Sequence, residues 1–186
     1  MLTMRDLGPT QRDMDLLQRV IEAAPAYSLR TSGSPPGRAE AQSTYSLLPE
    51  GLDYDRKFVS GFFAGDELVA YADLLRGHPR TEAAYLGALV VAEPFQGRGL
   101  GRSAWTLLEQ RILSDWPENE VVVAAPLRSH DVLGFFAKLG FRQTGRTRPY
   151  RTRLVESEHV FVELALRRDQ RAQPTRRSVA PAGKPD

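Results

Sequence analysis

The chain has 186 residues, 41 % of them apolar and 26 % charged, the balance of a soluble globular body long enough to bury a core, with one domain expected. It contains no cysteine, which excludes a disulfide framework, a thiolate zinc site, an iron–sulfur cluster and a cysteine nucleophile. The net charge of +2 hides an asymmetry, because residues 167–186 hold six Lys or Arg against two acidic residues. The body before them is therefore slightly negative.

Met1 to Asp6 shows no apolar core of signal-peptide length, and no run approaches the roughly 20 residues that span a bilayer. A cytoplasmic protein without a membrane partner is expected. Residues 10–24 read as a helix: Leu16, Leu17, Val20 and Ile21 share a face, Thr10 caps the start and Pro25 ends the run. Thr31 to Gly37 is a loop, and Arg38 to Leu48 a short second helix.

The period changes at residue 57. Lys57–Ala64 and Glu67–Leu75 read as strands joined by the Gly65-Asp66 turn, an antiparallel hairpin. Ala83–Val91 is too apolar for a half-solvated strand and belongs at the sheet centre. Gly99–Leu113 reads as an amphipathic helix, Val121–Ala125 as a buried strand, and Asp131–Leu139 as a short helix. Strands follow from Gly140 and over Val160–Leu166. The order predicts a mixed α/β sheet with an antiparallel first half and parallel crossovers in the second. A domain at 1–166 is expected, followed at 167–186 by a disordered basic tail. No aromatic residues interleave with its arginines, so no nucleic-acid partner is expected, and three scattered histidines argue for no metal cluster.

The most informative stretch is Gln96-Gly97-Arg98-Gly99-Leu100-Gly101-Arg102, between the buried strand and the helix. Glycines at alternate positions allow a tight turn or close ligand approach. Backbone N–H groups at a helix N-terminus, backed by Arg98 and Arg102, suit a phosphate or pyrophosphate. A dinucleotide fingerprint needs G-x-G-x-x-G, and a Walker loop needs a lysine that is absent here. An ordinary tight strand–helix turn is the competing reading.

These residues resemble the Q/R-x-x-G-x-G/A signature of the GCN5-related N-acetyltransferases. A second block, Ser129-His130-Asp131-Val132-Leu133-Gly134-Phe135-Phe136-Ala137-Lys138-Leu139-Gly140-Phe141, resembles their N-x-x-A-x-x-F-Y-x-K-x-G-F helix. The resemblance implies a mixed, mostly antiparallel sheet with splayed central strands and flanking helices. It also implies acetyl-CoA as cosubstrate: pyrophosphate on the backbone from Gln96 to Arg102, and pantetheine beside Leu89, Val90 and Val91. Val132, Phe135 and Phe136 would line the other side, and a backbone N–H near Val90 or Val91 would meet the developing oxyanion. Transfer to a primary amine of a small molecule or peptide follows, by a monomer or homodimer.

Two positions depart from the family pattern. Ser129 replaces the usual asparagine, and Phe136 replaces the tyrosine often assigned as acid to the leaving thiolate. The central strand also lacks the glutamate common in relatives. Asp73, Glu82 and His78 are the candidate bases, and Tyr150 the candidate substitute hydroxyl. Tyr27, Tyr45, Tyr54 and Tyr85 are candidates for an acceptor pocket, His130 for flanking the cofactor helix, and His159 reads as a strand-edge residue. An acyl-CoA-binding module without efficient transfer remains the alternative.

Overall fold

A computed structural model describes residues 1–167. Its elements are β1 (Leu2–Asp6), α1 (Gln11–Glu22), α2 (Pro25–Ser32), α3 (Glu40–Ser46), β2 (Lys57–Ala64), β3 (Glu67–Arg76) and β4 (Ala83–Val91). There follow α4 (Leu100–Asp115), β5 (Val121–Ala124), α5 (His130–Lys138), β6 (Arg142–Arg151) and β7 (Glu156–Ala165). The seven strands form one sheet in the order β1-β2-β3-β4-β5-β7-β6. Among the described strands only the β4–β5 pair is parallel, as a crossover through α4 requires.

The expected hairpin forms, with Lys57 opposite Leu75 and Ala64 opposite Glu67. Side-chain alternation then divides the core. On one face, Phe62, Leu74, Leu86 and Val122 pack against Ala104, Leu108 and Ile112 of α4 and Phe136 of α5. Leu108 and Ile112 are fully buried, each contributing about 1.5–3 kcal/mol by leaving water. The other face, with Val59, Tyr71 and Val90, packs against Leu17, Val20 and Ile21 of α1.

Three elements differ from the sequence reading. β1 is an extra edge strand, paired with β2 from Leu2 opposite Ala64 to Asp6 opposite Ser60. Arg111 of α4 holds its end by donating to both carboxylate oxygens of Asp6, one of them at 2.6 Å. The second difference is α2. Thr10 does cap α1, its hydroxyl accepting from the Asp13 N–H, but Pro25 opens a new helix instead of closing the chain into a loop. Proline suits the first helical position because that N–H has no intrahelical acceptor. The last strand also begins earlier than Val160, at Glu156. Apart from Arg167, the basic tail expected at 167–186 lies outside the described residues. No described helix is long and apolar enough to cross a membrane.

Candidate active site

β4 and β5 stay paired only from Ala83 opposite Val121 to Leu86 opposite Ala124. β4 then runs on to Val91 with no strand partner on that side among the described residues. At the point of divergence the β3–β4 register slips: Asp73 faces Ala88 while Leu74 faces Leu86, leaving Gly87 as the extra residue of a bulge. The gap is a cleft of about 410 Å³, lined by Gly87, Ala88 and Leu89 of β4, Ala124 of β5, and Val132, Phe135 and Phe136 of α5.

Backbone direction selects which groups face this cleft. The Ala92 N–H donates to the Val69 carbonyl of β3 at 3.0 Å. Alternation therefore turns Val90 and Ala88 toward β3, and Leu89 and Val91 toward the cleft. Of the two expected oxyanion donors, Val90 is thus committed to the sheet. The Val91 carbonyl accepts from the Gln96 Nε2 at 2.7 Å, so the glutamine folds the following turn back onto the strand.

The cleft continues into a second hollow of about 480 Å³ at the N-terminus of α4, and Leu89, Gln96 and Phe135 border both. Gly97 and Gly99 have φ of 75° and 77°, where L side chains are strained, and a Cβ at either would meet nothing within 4 Å. Their outer faces are open to a ligand. Gly101 has a different reason: a Cβ there would lie 3.1 Å from Phe135 Cε2, so its absence lets α4 and α5 approach. Arg102 and Lys138 line the hollow, and the Arg102 guanidinium also donates to the Lys138 carbonyl at 2.9 Å. Glu93 anchors the turn from behind, accepting from the Ala26 N–H at 2.8 Å and donating its own N–H to the Ala23 carbonyl at 2.7 Å.

Comparison with known proteins gives this arrangement a family. Residues 17–141 match the Acetyltransferase (GNAT) family. The chain belongs to that family. Protein ElaA of Escherichia coli is 27 % identical over 92 residues, covering 50 % of this chain and 58 % of that protein. The chain thus spans little more than half the length of this curated relative. The ribosomal-protein-S18-alanine N-acetyltransferase of Escherichia coli superimposes with a TM-score of 0.65 at 16 % identity, over 94 % of this chain and 99 % of the other. An acetyltransferase of Bacillus subtilis, solved in complex with CoA, gives 0.57 at 16 % identity over 89 % and 99 %. At these identities the two structures attest the fold.

Within this GNAT fold, most of the residues named for the cofactor side lie along the two hollows. Leu89, Gln96 and Phe135 border both hollows, Val132 and Phe136 line the first, and Val91, Leu100 and the three glycines line the second. Three candidates do not line either hollow. Val90 is buried on the α1 face. Arg98 lies outside the hollow with its guanidinium over the Phe95 ring, 5.7 Å from the centroid. Ser129 precedes α5 but its side chain makes no capping hydrogen bond. Phe136 is buried and meets Phe141 edge-on at 5.1 Å, so it serves the core and the cleft wall together.

The four catalytic candidates are not brought together. Asp73 lies beside the bulge, its Oδ2 3.4 Å from where a Gly87 Cβ would be. Both its oxygens, however, accept from the buried Lys57 Nζ at 2.9 Å. Burial pushes the Asp73 carboxyl up, and Lys57 opposes that shift. Glu82 sits at the opposite end of β4, outside the cleft, paired with Arg80 at 2.9 Å. His78 precedes that same far end and meets Tyr85 edge-on at 5.5 Å; burial lowers its pKa. The Tyr150 hydroxyl donates to the Thr31 carbonyl at 2.6 Å, tying β6 to α2, so its proton is already engaged.

Of the tyrosines proposed for an acceptor pocket, Tyr27 lines the cleft, and burial, with Asp73 nearby, pushes its phenol up to about 12. Tyr45 and Tyr54 instead line a separate, mainly apolar cavity of about 600 Å³ between α3 and the start of β2, remote from the glycine turn. Among the lining residues that the sequence does not single out for the site are Lys138 in the second hollow and Arg30 and His159 in the cleft. The first has a signal, one helical turn beyond Phe135 on the cofactor helix. Arg30 arrives on α2, and His159 through the pairing of β7.

Proposed function

We propose that the protein transfers an acetyl group from acetyl-CoA directly to a primary amine of a small molecule or peptide. The observation that carries this reading is the continuity of one groove. It runs from the Gly87 bulge, along the open edge of β4, to the N-terminus of α4. Acetyl-CoA supplies an acyl group activated by a good thiolate leaving group.

The chain's own residues divide the work by position. Unpaired N–H groups around Gly97 to Arg102, with the helix dipole, Arg102 and Lys138, would hold the pyrophosphate. The outward N–H and C=O of Leu89 would pair with the pantetheine as an added strand does, while Val132 and Phe135 exclude water. The Leu89 N–H, just past the bulge, would donate to a developing oxyanion. With no cysteine in the chain, direct attack by the amine in a ternary complex is the simplest route.

A second reading, an acyl-CoA-binding module without transfer, is favoured by one feature: Phe136 has no proton to give. Incubation with acetyl-CoA and a broad panel of amines, followed by free-thiol release, separates the two. Amine-dependent thiol release supports transfer. CoA binding without such release across the panel supports the binding module.

A further inference from the structure

We infer that His159 is the catalytic general base of this site, taking a proton from the acceptor ammonium through Nε2; the inference rests on the acyl-transfer reading above. His159 lies on β7 and is half-buried. Its backbone bridges Leu127, in the segment that follows β5. This crossing brings the ring to the wall of the cleft that Gly87, Leu89 and Phe136 also line.

The ring is set up for one direction of proton transfer. Its Nδ1 lies 2.6 Å from the Ala125 carbonyl oxygen. A carbonyl only accepts, so Nδ1 carries the hydrogen, and the neutral ring keeps its lone pair on Nε2. Protonation at Nε2 leaves the Nδ1 bond intact, so the ring cycles without turning over. Tyr150 holds it edge-on, with centroids 5.0 Å apart and planes at 75°, and Tyr150 is itself fixed by its bond to Thr31.

The other candidate bases are engaged or distant. Asp73 is chelated by Lys57, and Glu82 and His78 belong to the far end of β4. The charged and titratable groups around His159 come from three elements. Arg148 is its cross-strand neighbour on β6, with Tyr150 beside it. Tyr27 and Arg30 of α2 and Asp131 of α5 line the same cleft.

One N–H bond of the ammonium breaks and its proton passes to Nε2, which returns it to solvent. The freed nitrogen lone pair forms the C–N bond, and the C–S bond breaks with its electron pair on sulfur. The second nitrogen proton, lost as the amide forms, goes to the thiolate. Ammonium and thioester thus give amide, thiol and one released proton.

Diethylpyrocarbonate, which carbethoxylates imidazole nitrogen, reads Nε2 without an acceptor having to be known. Peptide mapping of the full chain should show His159 modified, and saturating CoA should slow that modification several-fold. His159 left unmodified, or modified equally fast while calorimetry shows CoA bound, would overturn the inference alone. No CoA binding by calorimetry would remove the acyl-transfer reading and the inference with it. With an amine found active in the panel, His159→Asn keeps a donor toward Ala125 and removes the base. Its kcat/KM should fall about a hundredfold and lose the acidic limb of the pH profile, while CoA affinity holds. His159→Gln, checked by its unfolding midpoint, serves where the asparagine variant fails to fold. Wild-type kcat/KM and pH profile in a folded variant would refute the assignment.

Discussion

The Lys57 ammonium chelates Asp73, 2.9 Å from each carboxylate oxygen, with 4 % of the lysine side chain and 19 % of the aspartate side chain exposed. This pair buttresses the back of the Gly87 bulge. Removing one partner strands a buried charge, so Lys57→Met should cost about 3–5 kcal/mol at neutral pH. The pH dependence has a definite sign. Burial raises the folded carboxyl above its ordinary 3.8, so folding favours the protonated acid. That contribution is complete below 3.8 and is lost as pH rises through the raised folded value. Without Lys57 the folded value climbs further, and the stability gap between wild type and variant should widen from acid to neutral pH. Denaturant unfolding across that range checks it; a constant gap would contradict it.

Gly101→Ala places a methyl 3.1 Å from Phe135 Cε2 and 3.2 Å from Cζ. Overpacking of this kind costs about 1–3 kcal/mol. Because the displaced ring borders both hollows, CoA affinity and the unfolding midpoint should fall together. Adding Phe135→Leu should restore much of the midpoint. A Gly101→Ala protein as stable as wild type would show that α4 and α5 are not in contact there.

What the sequence discloses is what is local. The glycine turn, the α4 stripe and the β2–β3 hairpin each carry their signal within a dozen residues. β1 has only Leu2 and Met4 to mark it, and its stability comes from β2 and Arg111, far along the chain. Pro25 carries two meanings, stop and first turn, and only packing beneath Glu93 decides for α2. In the site, Asp73 stands out as a carboxylate in an apolar strand, but its partner Lys57 lies on the neighbouring strand and changes its role. His159 looks like an edge residue by alternation. The turn after β5 carries Ala125 and Leu127 to it, and no period in β7 encodes that.

Tyr150→Phe removes a hydroxyl that bonds the Thr31 carbonyl at 2.6 Å. The loss should be about 1 kcal/mol of stability, with kcat changed by only a few-fold because the ring against His159 remains. Unfolding and steady-state rates measured together decide this. A fall in kcat beyond about a hundredfold at unchanged stability would instead make Tyr150 the proton donor.

Phe136→Tyr returns a hydroxyl to the cleft wall. The ring borders the cleft while packing on Phe141, so the expected result is a midpoint near wild type and a higher kcat where proton delivery to the thiolate is partly limiting. Destabilisation by about 1–3 kcal/mol without a rate gain would show that the ring tip points into the core.

The proposed seat of CoA, along β4 with its pyrophosphate on the α4 turn, is put to the test by Gly99→Asp. Nothing lies within 4 Å of the position a Cβ would take there, and the φ of 77° is one that Asp tolerates better than most residues. The fold should therefore survive, while a carboxylate stands where the phosphates would sit. Calorimetric titration with CoA should show one site in the wild type and affinity at least about a hundredfold weaker in the variant, given anion repulsion at a helix N-terminus. Equal affinity in a folded Gly99→Asp protein would contradict it.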